Sequence, residues 1–328
     1  MKKGLFLTLL SVVLFSLRVS AQSSLLATLN HEGTISTYYG ASALQQAYNA
    51  ATHGDVITLS SGSFLGMNIK KAITLRGAGM QMDTVSHTEP TVITNNFDID
   101  ISDTVSHRLT IEGIYNNQTI NVGTLKNAMF LKCRFYNFRY STSSSSKMVD
   151  LNFIHCRIAK NISIRRGSAS FTNCVINNIN DFGSDDSPLT LTNCYTKASP
   201  YQNNSEFKNC IIVNTYGGTS TCTYYNNLYV AESNSNLNSP NNTNVKILNT
   251  DERIKFLTGD YSDDKDYVLT DAVRALIKGT DGTEVGIHGG SLPYDPTPTN
   301  PQITKFNVAA KSTADGKLSV DIEVNSAN

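Results

Sequence analysis

Short segments of alternating apolar and polar residues repeat through the middle of the chain at intervals of 16 to 23 residues. Apolar residues lie two apart on either side of a polar position, which is usually Asn. This pattern indicates two short strands joined by a bend. The position after the Asn is occupied by Ile114, Cys133, Cys156, Cys174, Cys194, Cys210 and Asn227.

The length of the unit decides the fold class. About nineteen residues are too few for the two helices of a helical repeat, and the spacing typical of leucine-rich repeats is missing. We therefore predict an all-β solenoid whose coils stack about 4.8 Å apart and bury a ring of Ile, Phe, Leu and Cys side chains.

The two ends of the repeat have patterns of their own. Residues 41–52 place apolar side chains at helical spacing, which predicts a helix that caps the first coil. The Pro-rich residues 296–301 predict a stiff linker. Residues 302–328 alternate around Asp315-Gly316 and predict a β-hairpin, which is too short to fold alone and should dock on the helix or elsewhere.

Several stretches resemble the pectin-lyase-like family of right-handed parallel β-helix proteins. The resemblance implies a right-handed parallel β-helix solenoid over residues 22–295, with an N-terminal capping helix and a short C-terminal β-hairpin extension. It implies no particular activity, because the fold hosts lyases, hydrolases, adhesins and inert spacers. The opening coils of the family are matched by 43–47, 54–59, 62–64 and 73–79, and the last coil of secreted Bacteroidetes-type members by 272–290.

The first residues have the pattern of an export signal. Lys2 and Lys3 precede an apolar run, and Val19-Ser20-Ala21 supplies small residues at a cleavage site. The run is too short for the roughly 20 residues that span a bilayer. We predict a signal peptide over residues 1–21, a mature chain that begins at Gln22 without a transmembrane segment, and a secreted or cell-surface location.

Composition narrows the classes of partner. The chain has 27 basic and 27 acidic residues, so no overall positive field favours nucleic acid. Charged residues make up 16% of the chain, below the roughly 25% of an average globular protein. Asn, Ser and Thr take their place and suit turns and the exposed faces of sheets. We expect a polysaccharide or a cell-surface component as the partner.

The six cysteines allow two interpretations. An exported chain with six cysteines often forms three disulfides. Five of these cysteines share one repeat position, however, which predicts a column of thiols facing the core, with Cys222 also pointing inward. We favour mostly reduced, packed thiols. No C-x-x-C pair is present and the histidines are scattered, so we expect no zinc site and no cofactor, with Ca²⁺ left open.

A basic cluster is the main candidate for chemistry. Alternation predicts that Asp150 and Arg157 face outward, with Arg165 and Arg166 nearby. Lyases acting on uronates need cations to neutralise a carboxylate and a base beside it, so these four residues are our catalytic candidates. A solvated basic face is the alternative. His155 stands where later copies have Asn, which indicates a corner residue and not a catalyst.

Two acidic loops are candidates for Ca²⁺, which prefers oxygen ligands. Neither loop has the spacing of an EF-hand, and solvated acidic turns are the alternative interpretation. The first loop contains Asp181, Asp185 and Asp186, and the second contains Asp260, Asp263, Asp264 and Asp266.

Catalytic motifs of the family are missing. Neither the Gly-His-Gly motif of its pectinase-type hydrolases nor the Arg-x-Pro-x-x-Arg motif of its pectate lyases occurs in the chain. We therefore predict an exported, non-catalytic β-helix protein for cell-surface or extracellular interaction, with glycan binding as the candidate activity. The alternative is a polysaccharide lyase acting on uronate-containing glycans.

Overall fold

The structure is a computed structural model. It describes residues 25–83, 88–95, 97–102, 104–141, 146–179, 187–197, 204–213, 221–230, 242–243, 246–248, 255–258, 267–297, 302–309, 311–313 and 315–325. The predicted signal peptide lies outside these residues and stays a prediction. No helix within the described ranges is long and apolar enough to cross a membrane.

The described chain forms a β-solenoid of about 8 turns, built from two long sheets. The first sheet follows the order β2-β1-β3 and then the odd-numbered strands to β21. It contains β1 Leu26–His31, β2 Thr34–Tyr39, β3 Val56–Leu59, β5 Thr74–Arg76, β7 Leu109–Glu112, β9 Thr124–Leu131, β11 Lys147–Ile154, β13 Ala169–Thr172, β15 Leu189–Thr192, β17 Glu206–Lys208, β19 Thr223–Tyr225 and β21 Asn242–Thr243.

The second sheet takes the even-numbered strands in chain order. Within the coils, both sheets are parallel, because each coil contributes one strand to each of them. The predicted all-β parallel solenoid is therefore confirmed. The strands of the second sheet are β4 Gly62–Leu65, β6 Thr91–Thr94, β8 Ile114–Val122, β10 Arg134–Tyr140, β12 Arg157–Ile162, β14 Val175–Ile176, β16 Tyr195–Thr196, β18 Ile211–Val213, β20 Leu228–Val230 and β22 Lys246–Ile247.

Like side chains stack along the inside of the solenoid. The rings of Phe130 and Phe153 stack at 4.6 Å, and those of Phe153 and Phe171 stack at 4.8 Å. Leu191 separates Phe171 from Phe207, so these two rings lie two coils apart. These spacings match the distance between neighbouring strands, as expected for a column of equivalent residues.

The corner residue of each coil has a left-handed backbone. Seven corner positions have φ between +47° and +62°. Gly and Asn reach this conformation at the lowest cost, which explains why Asn recurs there. His155 adopts the same conformation and is a corner residue, as predicted. The seven positions are Gly113, Lys132, His155, Asn173, Asn193, Asn209 and Asn226.

All six cysteines are buried, and none forms a disulfide in the structure. Each thiol of the column donates to a carbonyl oxygen of the preceding coil, as Cys156 Sγ does to Phe130 O at 3.2 Å. Asn227 continues the column and donates from Nδ2 to Phe207 O at 2.8 Å. Burial raises the pKa of Cys174, Cys194 and Cys133, which keeps these thiols protonated. The column therefore pairs buried carbonyl groups near the ends of the first-sheet strands.

The capping helix is present as α1 (Ala43–Ala50), with Ala43, Leu44, Ala47 and Tyr48 buried against the first coil. Tyr48 Oη accepts from the backbone of Lys70 at 2.6 Å, which ties the helix to the first coils. The N-terminal end of the solenoid is closed in this way.

The structure of the chain after the last coil differs from the one that the sequence predicted. Residues 272–290 form no strand and instead contain α2 (Asp271–Arg274) followed by turns that lie against the outside of the solenoid. The predicted last coil at this position is therefore wrong. We call residues 267–297 the return segment, because it runs back along the coils.

The C-terminal hairpin is present as β23 (Gln302–Val308) and β24 (Val320–Asn325). The expected docking is not found in the part of the hairpin whose side chains are described. Val320, Ile322 and Val324 each remain about half exposed, because nothing described covers them.

Candidate functional site

A second apolar core lies outside the solenoid, on the second sheet. Val175, Tyr195, Ile211 and Leu228 occupy the first strand position after the corner in four successive coils. All four point out of the coil and are buried nevertheless. They are covered by Leu248, Phe256, Tyr267, Leu269, Val273, Ile277, Val285 and Ile287. This half of the outer surface is therefore occupied by the chain itself.

The corner residues hold the return segment by hydrogen bonds. Asn226 Nδ2 donates to Lys278 O at 2.8 Å, and Asn209 Oδ1 accepts from Thr280 N at 2.9 Å. Asn173 Nδ2 donates to two carbonyl oxygens, those of Ile287 and Gly289, at 2.8 Å each. Later parts of the segment contact earlier coils, so the chain runs backwards along the solenoid.

The same contacts continue to the end of the segment. His155 Nε2 lies 3.1 Å from Leu292 O, which can only accept, so this nitrogen is the donor. Lys132 Nζ contacts Asp295 Oδ2 at 2.8 Å and Thr297 O at 2.6 Å. The beginning of the predicted linker is thereby attached to the coil that contains Lys132.

Arg157 lies at the edge of the covered half. It points out of the coil beside Arg134, as predicted, but it is only 8% exposed. Its guanidinium lies 5.9 Å from the ring centroid of Tyr267 in the return segment. The alternative interpretation of a solvated basic face is therefore wrong for Arg157, because a later part of the chain covers the side chain.

The earlier half of the second sheet carries paired cations and tyrosines on its outer surface. We call its outer surface the cation–tyrosine face, formed by Tyr115, Arg134, Tyr136, Arg139, Tyr140, Lys160 and Arg165. In three pairs a cation of one coil lies over a tyrosine ring of the preceding coil. These are Arg134 over Tyr115 at 5.1 Å, Lys160 over Tyr136 at 5.4 Å and Arg165 over Tyr140 at 5.1 Å.

The charge on this face has one sign. The sequence has no Asp or Glu between Glu112 and Asp150, and none from 151 to 180. All three strands of the face, β8, β10 and β12, lie within these two acid-free stretches. An anion that approaches the face therefore meets cations whose field no carboxylate of the same strands offsets.

Asp150 lies on a different side of the coil from Arg157. It belongs to β11 in the first sheet, whereas Arg157 begins β12 in the second sheet. Asp150 is exposed and accepts a hydrogen bond from Ser168 Oγ at 3.2 Å. Arg165 and Arg166 lie in the turn just before Ser168, so their backbone comes close to Asp150, whereas the side chain of Arg165 lies over Tyr140 of the second sheet.

A polar cleft of about 370 Å³ borders the cation–tyrosine face. Asp98 and Asp100 lie in it on the same side of the chain, because the buried Ile99 lies between them. Asn121 Nδ2 donates to Asp98 Oδ1 at 2.9 Å, and Arg139 Nε donates to Asn121 Oδ1 at 2.9 Å. The cleft and the face are thus joined by one chain of hydrogen bonds.

The calcium candidates cannot be placed. Both acidic loops, residues 181–186 and 260–266, lie outside the described residues. Within the described ranges, no group of three or more His, Cys, Asp or Glu side chains could hold a metal ion.

Of the cations on this face, sequence reasoning selected Arg165 as a candidate, and it missed the tyrosines. Tyr136 and Tyr140 stand outside the repeated motif, and Tyr115 occupies a repeat position that other coils fill with Arg or apolar residues, so the repeat gave no reason to select them. The i, i+2 pattern of Arg134 and Tyr136 on one strand was the available signal. The sequence contained no signal for the cleft around Asp98, because the residues of the cleft come from four segments that only the stacking of the coils brings together.

Comparison of the chain with protein-family models, with curated proteins and with solved structures found no match.

Proposed function

We propose that this protein is an exported, non-catalytic β-solenoid that binds acidic glycans through its cation–tyrosine face. The observation that carries the proposal is the series of three cation–tyrosine pairs between adjacent coils, on strands and a following turn that contain no carboxylate. Tyrosine rings stack on the apolar faces of sugars, and the cations pair with carboxylates or sulfates. A face that repeats from coil to coil suits a polymer that also repeats.

The pairing between cation and ring also prepares the site for a ligand. Each ring holds its cation by about 0.5–1 kcal/mol at an exposed site, which restricts a long side chain before binding. Less conformational entropy is then lost when the glycan arrives. Tyr136 remains 42% exposed under Lys160, so its ring keeps surface for a sugar.

Calorimetry with a matched pair of polymers tests the proposal. Polygalacturonate should bind, and the same polymer with its carboxylates methyl-esterified should bind at least about tenfold more weakly, because the cations lose their partners. Binding should also weaken as salt rises. Equal affinity for both polymers would contradict the electrostatic part of the proposal.

Two substitutions locate the site. Tyr136→Ala and Lys160→Ala should each weaken binding of polygalacturonate about five- to tenfold, the equivalent of about 1–1.4 kcal/mol. Lys126→Ala is the matched control, because Lys126 is an exposed cation on the first sheet, away from the face. Loss of binding with Lys126→Ala alone would move the site to the other sheet.

We also propose that the chain is a secreted, Bacteroidetes-type member of the pectin-lyase-like family. The solenoid, the capping helix and the left-handed Asn corners support this assignment.

Lyase activity remains the second candidate. It is favoured by the hydrogen bond from Ser168 to Asp150, which keeps a carboxylate beside the turn that contains Arg165 and Arg166. Incubation with a panel of uronate polymers should then release unsaturated products that absorb in the ultraviolet. Arg166→Ala should abolish that activity and Arg157→Ala should spare it. Absence of product with every polymer would remove this candidate.

A further inference from the structure

The first sheet ends at an open edge. Strand β2 pairs with β1 on one side, and within the described residues no strand pairs with it on the other. Edge strands of soluble proteins are commonly protected by charges, proline or a covering element, since an open edge can pair with another chain. Strand β2, Thr-Ile-Ser-Thr-Tyr-Tyr, contains neither a charge nor a proline.

The register shows which backbone groups point to the open side. Gly40 N donates to Leu25 O at 2.8 Å, so Gly40 and Leu25 form a hydrogen-bonded pair. In an antiparallel ladder such pairs alternate, so the even-numbered residues of β2 bond to β1. The N–H and C=O groups of Ile35, Thr37 and Tyr39 therefore point away from the sheet, toward the open side.

The chain segment that forms this edge contains no Asp, Glu, Lys or Arg. Between Glu32 and Asp55 the sequence has no Asp, Glu, Lys or Arg. This stretch contains β2 and the capping helix α1, whose exposed residues Gln45, Gln46 and Asn49 are polar and neutral. The side chains of Ile35 and Tyr39 are 69% and 64% exposed. The edge thus combines backbone groups that no described residue pairs, exposed apolar side chains and a chain segment without Asp, Glu, Lys or Arg side chains.

We propose that β2 pairs with β2 of a second copy of this chain, antiparallel and about a two-fold axis at Thr37. Thr37 then faces Thr37 of the second copy, and Ile35 faces Tyr39 of the second copy on both sides of the axis. The three outward-directed residues of each copy can form six backbone hydrogen bonds, and the two first sheets become continuous.

The two-fold arrangement favours a second copy over another partner. Such an axis brings a surface against itself, so any charge beside the axis meets a like charge. The 22 residues from Gly33 to Gly54 avoid this cost because they contain no charged side chain apart from His53 when protonated. The large exposed side chains at either end of β2 also face each other only in this register.

Cross-linking tests the register. In the proposed dimer the Cα atoms of the two Thr37 residues lie about 5.5 Å apart, within the range of a disulfide. Thr37→Cys should therefore form a covalent dimer under mild oxidation. Ser36→Cys is the control, because its two copies would lie about 8 Å apart, too far for a disulfide. The six native cysteines are buried and do not compete. Equal cross-linking at both positions would overturn the register.

Sedimentation of the purified full chain tests the dimer itself. Thr37→Lys places two cations opposite each other and should raise the dissociation constant at least about tenfold. Thr190→Lys adds the same charge to another exposed threonine of the first sheet and should leave dimerisation unchanged. A wild-type chain that is monomeric at every concentration, or a dimer that Thr37→Lys leaves intact, would overturn the proposal.

Discussion

The outer surface of the second sheet has two halves that start from the same repeat and end in different roles. In the coils of Tyr115 and Arg134 the first position after the corner holds a polar side chain that is partly exposed. In the coils of Val175, Tyr195 and Ile211 the same position is apolar and lies under the return segment. The inside of the solenoid is alike in both halves. The repeat therefore determines the inner core, and the later chain determines which outer surface is left for a ligand.

Arg157 marks the boundary between the two halves. It follows Arg134 in register and is followed by Val175, so it is the last cation before the apolar row begins. Tyr267 covers it. A residue that belongs to the basic cluster by sequence is thus part of the covered half by structure.

The largest expected effect lies in the inner core, which both halves share. Phe171→Ala should lower the free energy of unfolding by about 3–5 kcal/mol, because the ring is fully buried between Phe153 and Leu191. Thr172→Ala, at the next and outward-facing position, should change it by no more than about 0.5 kcal/mol. Denaturant melts measure both values, and equal losses would mean that the strand register is wrong.

The second prediction compares the two halves directly. Tyr195→Ala should cost about 3 kcal/mol, since it opens a cavity beneath Tyr267 in the second core. Tyr136→Ala, on the open half, should cost no more than about 0.5–1 kcal/mol and should act on glycan binding instead. A large loss of stability at Tyr136 would show that the open half is also structural.

The third prediction separates docking of the return segment from backbone strain. Both Gly286 and Gly282 have a left-handed backbone, with φ of +86° and +80° respectively. Alanine at either position therefore costs about 1 kcal/mol through the left-handed backbone. A Cβ at Gly286 would also meet the side chain of Ile211, whereas Gly282 has nothing within 4 Å.

Gly286→Ala should consequently destabilise the protein by about 2–3 kcal/mol, against about 1 kcal/mol for Gly282→Ala. Thermal or denaturant melts give both values. If the two variants lose equal stability, the contact between the return segment and Ile211 does not contribute, and the covered half is looser than the structure indicates.

The smallest expected effect concerns the far end of the return segment. Burial would raise the pKa of Asp295, but hydrogen bonds from Lys132 and Thr297 outweigh it and leave the pKa below its ordinary value of 3.8. A lowered pKa stabilises the folded state above the unfolded value, and this contribution disappears as pH falls through the folded pKa.

The difference in stability between wild type and Asp295→Asn should therefore be constant above about pH 4.5 and vanish at lower pH. It should stay below about 1 kcal/mol, because Asp295 is 48% exposed and solvent screens the pair. Melts from about pH 2 to pH 7 provide the measurement. A difference that grows as pH falls would contradict the assigned sign.

The sequence by itself determined the inner architecture. The inner architecture follows from local patterns, which are the strand alternation, the repeat from Cys133 to Asn227 and the Asn corners. The residues of each coil are enough to specify these patterns. The capping helix also follows from local periodicity.

Only the tertiary structure decided the outer surface, because burial there depends on contacts distant in sequence. Asn173 contacts Ile287, more than one hundred residues later, and no periodicity within a coil reports such a contact. The resemblance to the family predicted a last coil over residues 272–290. It could not reveal that these residues run along the corners of earlier coils. Arg157 was predicted to face outward, and its cover could not be predicted, since alternation tells which side chains leave the coil but not what they meet outside it.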